Sequence, residues 1–164
     1  GIVPGLDGKL GHAGIALEYN RSFRYECRWV DLSVDAGSPS VFTKGLERLH
    51  IPVAHGEGNF YAPPGTLARI EEKRLAPLRY VRPDGSRAGG EFPYNPNGSQ
   101  NDIAAACDPS GRRMGMMPHP ERAIFFTQRD DWTMVREKIR RSGGDLPLAA
   151  EGTALFENAV RYFR

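Results

Sequence analysis

The sequence predicts one half of an α/β or α+β domain, rich in strands as far as residue 118 and helical at its end. Three observations carry this. Short apolar runs with period-two alternation, broken by Gly-, Pro- and Asn-rich turns, occupy most of residues 13–118. Helical spacing of apolar residues occurs in one short stretch near residue 66 and in two stretches after residue 129. The chain has 164 residues, 40% of them hydrophobic, which suits one core and one domain.

The elements follow in order. "GIVPGLDGK" opens without a Met and reads as the end of a helix entering a turn, so the chain is expected to be a fragment. Residues 13–34 carry two strands broken at Asn20–Arg21–Ser22. Tyr25, Cys27 and Trp29 alternate on one face and Val30, Leu32 and Val34 on the other, which predicts a bulge or a strand covered on both sides. "AGSPS" is a loop, "RLHIPVAHG" a strand stopped at His55–Gly56, and "EGNFYAPPG" a turn-rich connection. "TLARIEEKRL" offers Leu67, Ile70 and Arg74 at helical spacing. "LRYVRPDGSRAGGEF" is a hairpin turning at Pro83–Asp84–Gly85, and "YNPNGSQ" is a loop. "DIAAACDPSGRRMGMMPHP" is a second hairpin, turning at 108–111 and ending at Pro118. Trp132, Val135 and Ile139 share a helix face near 129–141. A last helix over 153–163 is expected to bury Leu155, Phe156, Ala159 and Val160, with Thr153 as its cap.

Composition excludes several classes of function. There are 22 Lys and Arg against 20 Asp and Glu, a net charge of +2, and no basic block of five residues. Nucleic-acid binding therefore has no electrostatic footprint, and "REKIRRSGG" reads as a solvated helix face. Cys27 and Cys107 have neither zinc spacing nor the density of a disulfide framework, and they read as structural thiols. No apolar run spans a bilayer and no signal peptide opens the chain, which makes a reducing cytoplasm the expected home. The sequons at Asn20 and Asn97 are then coincidental.

The chemistry concentrates in "MMPHPER". Pro118 and Pro120 stiffen the backbone around His119. Glu121 is placed to turn back onto one ring nitrogen, fixing the tautomer as the carboxylate of a catalytic triad does. An exposed histidine at a proline-rich strand exit would look the same. In "IPVAHGEGNF", Gly56 and Gly58 permit close backbone approach to a ligand, and His55 and Glu57 are possible acid/base groups or ligands; a tight strand-exit turn is the other explanation. "YNPNGSQNDIAA" is a polar loop. The two H-x-E pairs supply enough ligands for a metal, but they lack the i, i+4 spacing of a helical metal site, and no metal is expected. No G-x-S-x-G or G-x-C-x-G elbow occurs, so the base and its orienting carboxylate have no evident nucleophile.

Together, "NRSFRYECRWVDL", "IPVAHGEGNFYA", "YNPNGSQNDIAAACDPSGRRMGMMPHPER" and "GTALFENAVRYF" resemble the glutaminase subunit of phosphoribosylformylglycinamidine synthase, a class I glutamine amidotransferase of purine synthesis. The resemblance implies a flavodoxin-like α/β domain, of which residues 1–164 are the C-terminal half, with a mixed β-sheet and flanking helices. It implies a Cys–His–Glu triad whose last two members are His119 and Glu121. By the same resemblance, Ala54, His55, Gly56 and Glu57 contact glutamine. The implied partners are a synthetase subunit and a small adaptor subunit. No cofactor is implied for this chain, ATP and Mg being used by the synthetase. The family's G-x-C-x-G-x-Q elbow would lie upstream of "GIVPGL", with about a hundred further residues of such a domain. The chain alone is thus expected not to hydrolyse glutamine. A non-catalytic module docked on the synthetase is the alternative.

Overall fold

The computed structural model describes residues 1–8, 11 and 13–164, so Lys9 of the opening "GIVPGLDGK" stretch lies outside the described residues. Among the described residues, seven strands and three α-helices succeed one another: β1 (Ala16–Tyr19), β2 (Glu26–Val34), β3 (Arg48–His55), β4 (Glu57–Tyr61), α1 (Pro64–Glu72), β5 (Leu78–Val81), β6 (Ile103–Cys107), β7 (Met114–Met116), α2 (Trp132–Arg141) and α3 (Gly152–Phe163). β1 and β4 form a two-stranded sheet, and the other five form a sheet in the order β3-β2-β5-β6-β7.

Every pairing among the described residues is antiparallel, where a mixed sheet was expected. The reason lies in the connections. Parallel neighbours need a crossover, usually helical. The one α-helix between strands among the described residues, α1, joins β4 to β5, which belong to different sheets.

β2 runs without a bulge, contrary to one expectation. Its pairing with β3 is regular from Glu26–His55 to Ser33–Arg48. Val30 and Leu32 face inward opposite Ile51 and Leu49, all buried, while Cys27 on the other face is exposed. Cys27 is therefore no buried structural thiol; Cys107, at the end of β6, is wholly buried. The turn-rich reading of "EGNFYAPPG" also gives way, since Glu57–Tyr61 is β4 and buries Phe60.

Two apolar clusters hold the layers together. One joins β2, β3, β5 and β6 to Ala123 and to Leu155 of α3. The other packs Phe60, Ile70 of α1, Leu75, Ile103 and Cys107. α1 begins at Pro64, earlier than its apolar spacing indicates, because proline at the first helical position loses no hydrogen bond there. Arg74 lies beyond the helix at positive φ, and its Nε donates to Asp35 at 3.1 Å. α3 buries Leu155 but leaves Phe156 and Val160 nearly half exposed, and Thr153 does not cap it. The Thr153 hydroxyl donates instead to Ile124 O at 2.9 Å.

Candidate functional site

β7 ends at Met116, and the chain leaves the sheet edge through Met117 and the buried Pro118. The His119 amide donates to Pro52 O of β3 at 2.7 Å, fastening the exit to the strand at the other end of the sheet order. Pro120–Arg122 then form one 3₁₀ turn, closed by Arg122 N–H to His119 O at 3.1 Å. That turn folds Glu121 back, and its Oε1 lies 2.7 Å from His119 Nδ1. Burial works against the Glu121 carboxylate, but its own backbone amide and the His119 ring outweigh it and hold its pKa below the ordinary value. An ionised carboxylate only accepts, so Nδ1 carries a proton and donates it to Glu121, which leaves Nε2 as the ring nitrogen not engaged by that contact.

β3 delivers the second group. His55 ends the strand nearly buried, Gly56 and Ala54 are half-buried, and Glu57 is exposed. The His55 ring lies against Gly58, where an added Cβ would meet ring atoms at 2.5 Å. Burial, and then the charge of His119, push the His55 pKa below its ordinary value, so the ring is neutral. His119 is anchored to Pro52, three residues before His55, or about 10 Å along a strand. The two strand exits are thus neighbours in space as well as in chemistry. Glu57 opens onto a groove shared with Arg21, Tyr19 and Asn59.

Two stretches that read as plain turns prove to be the frame of this region. Asn20 and Asn97 are wholly buried, and Asn95 and Ser99 nearly so. The Ser99 hydroxyl accepts the Phe60 amide at 3.0 Å and donates to Asn97 Oδ1 at 2.8 Å; Asn97 Nδ2 reaches the Tyr80 hydroxyl at 2.9 Å. Arg21 N–H donates to Asn97 O at 3.0 Å, tying the "NRS" turn to the "NPNGS" loop. Both sequon carboxamides are engaged, Asn97 Nδ2 by Tyr80 and Asn20 Nδ2 by Arg24 O and His55 O. Asn20 is the residue that sequence reasoning passed over; its partners lie as far away as Gly58, and no local pattern announces them.

Other groups sort themselves by partner. Burial pushes the Cys107 thiol up to about 11, which suits a core group and not a nucleophile. His119 and Glu121 engage each other and His55 is buried on Asn20, so the two H-x-E pairs do not present a shared ligand set. Among the described residues, His50, Asp130 and Asp131 form a grouping with metal-ligating atoms within 4.8 Å of one another. Both Asp131 oxygens are taken by Arg129, at 2.8 and 3.0 Å. His50 bridges Asp31 at 3.2 Å and Asp130 at 3.0 Å.

The chain resembles known proteins. A phosphoribosylformylglycinamidine synthase subunit PurQ of Methanococcus maripaludis is 43% identical over 149 residues, covering 90% of this chain and 54% of that protein. The subunit PurQ of Dehalococcoides mccartyi is 38% identical over 166 residues, covering the whole chain and 58% of that protein. Human phosphoribosylformylglycinamidine synthase is 41% identical over 123 residues, 73% of this chain and 9% of the human one. Among solved structures, that of PurLQS from Thermotoga maritima superposes with a TM-score of 0.60 at 28% identity, over 94% of this chain and 56% of that one. The chain spans about half the length of the PurQ relatives it matches. Residues 1–163 match the CobB/CobQ-like glutamine amidotransferase domain, and the chain belongs to that family.

Proposed function

We propose that this chain is the His–Glu-bearing, C-terminal part of the glutaminase of phosphoribosylformylglycinamidine synthase, supplying ammonia for purine synthesis. The observation that carries the reading is the 2.7 Å contact of His119 Nδ1 with Glu121 Oε1 at a strand exit. The PurQ relatives supply the reaction class. The antiparallel sheet described above is then one side of a flavodoxin-like class I amidotransferase domain, and the nucleophilic cysteine comes from a segment outside these residues.

His119 Nε2 takes the cysteine proton as the sulfur attacks the glutamine side-chain amide carbon. The imidazolium, held by Glu121, returns that proton to the leaving nitrogen, so the C–N bond breaks to give ammonia and a glutamyl thioester. Water then attacks the thioester; His119 accepts its proton and passes it to the departing sulfur, which leaves glutamate and a free thiol. Ala54, His55, Gly56 and Glu57 form the turn that holds the glutamine α-amino and α-carboxylate groups. No metal or cofactor acts in this part; ATP and Mg serve the synthetase, to which the chain docks together with a small adaptor subunit in the cytoplasm.

The test uses the glutaminase carrying its cysteine, assembled with the synthetase. His119→Ala abolishes amidation fed by glutamine and spares amidation fed by free ammonia. Loss of neither, or of both, contradicts the reading. A purely docking role for the chain predicts that glutamine-fed amidation survives His119→Ala.

A further inference from the structure

Asn20 is wholly buried although its neighbours Arg21 to Tyr25 are exposed, and every hydrogen-bonding atom of its carboxamide is used. Nδ2 donates to Arg24 O and to His55 O, each at 2.8 Å. Oδ1 accepts the Gly58 amide at 3.1 Å and faces His55 Nδ1 at 2.9 Å. The Asn20 backbone amide donates to Gly56 O at 3.0 Å. One residue therefore grips both legs of the four-residue turn whose exposed tip is Glu57. The donor end of the carboxamide is held by two carbonyls, so the oxygen must face the imidazole, and the proton of His55 sits on Nδ1. His55 Nε2 is then a bare, buried acceptor without a partner, and the ring stays neutral beside His119.

Such a polar network, satisfied at all points but one, fixes geometry more than it adds stability. We infer that Asn20 is a positioning residue for glutamine binding. Through the His55–Gly58 turn it sets the distance between the substrate's α-groups and His119 Nε2, without itself touching substrate. This rests on the reading of that turn as the glutamine site.

The test is Asn20→Ala in the cysteine-bearing glutaminase assembled with its synthetase. KM for glutamine is expected to rise about tenfold, equivalent to about 1.4 kcal/mol, with kcat changed less than about threefold, the pattern of lost ground-state binding. Amidation fed by ammonia, and alkylation of the nucleophile by iodoacetamide, stay at wild-type rates and report an intact fold. Gly58→Ala, which displaces the His55 ring from the other side, is expected to give the same split. If Asn20→Ala fails to assemble, Asn20→Ser takes its place; its shorter hydroxyl keeps only part of the network without burying a charge, and it too is expected to raise KM. An unchanged KM, or a fall in kcat at constant KM, overturns the inference. Absence of glutamine turnover in the wild-type assembly would instead overturn the functional reading beneath it.

Discussion

His119 and Glu121 sit two residues apart, and one 3₁₀ turn is enough to bring their side chains into contact. The pair was legible in the sequence because everything that forms it is local: two prolines, one turn, one carboxylate. In the glutaminase with its cysteine, His119→Ala is expected to lower kcat by about 10²–10⁴-fold, the usual worth of a general acid–base group. Glu121→Gln should cost less, since an amide oxygen still accepts from Nδ1 but no longer stabilises the imidazolium; glutamate-release kinetics check both. Asn20 and the buried face of His55 were not legible. The hydrogen bonds that join Asn20 to His55 and Gly58 link residues 35 or more apart in the chain, and sequence spacing carries no information about such pairs. The exposed side of Cys27 was missed for a related reason. Aromatic neighbours suggested burial, but they share its outward face, and Tyr25 is itself 66% exposed.

At the scale of elements, α3 is the buttress of the turn that carries His119 and Glu121. Gly152 at its start donates its amide to Ala123 O at 3.0 Å, and a Cβ there would meet Pro120 O at 2.1 Å. Gly152→Ala is therefore expected to cost about 1–3 kcal/mol of stability through overpacking and to lower kcat by shifting Pro120–Arg122; denaturation and kinetics on one preparation read both. A second device ties β2 and β3 to the approach to α2. Burial disfavours a charged His50, but hydrogen bonds to Asp31 and Asp130 outweigh it and raise its pKa, with Arg129 nearby opposing and Arg48 paired to Asp31. A raised folded-state pKa contributes stability that is full below the unfolded value, about 6.5, and lost as pH rises through the folded value. The stability gap between wild type and His50→Gln should thus be larger near pH 6 than near pH 8.5, in thermal melts at both. Elements with one clean signal were read correctly from sequence, as with the hairpin that turns at 108–111. β4 was not, because glycine and paired prolines bracket a strand of only five residues. The apolar stripe of α3 was read as wider than the part this structure buries.

For the whole molecule, strands followed by helices were evident from periodicity, whereas sheet direction was not. Direction depends on which strands become neighbours, and α1 connects strands of two different sheets. Between the two sheets lies an apolar cleft of about 180 Å³, bordered by Val3, Leu17, Phe60, Ala104 and Met116. On the proposed function, residues 1–164 hold the base and its carboxylate of a glutaminase but not its nucleophile. The most direct measurement is glutamate release from glutamine by this chain alone, by the chain joined to a segment with the elbow cysteine, and by that joined protein carrying His119→Ala. Turnover only in the joined protein with His119 intact is the predicted result. Turnover by the 164-residue chain, abolished by Cys27→Ser or Cys107→Ser, would contradict it.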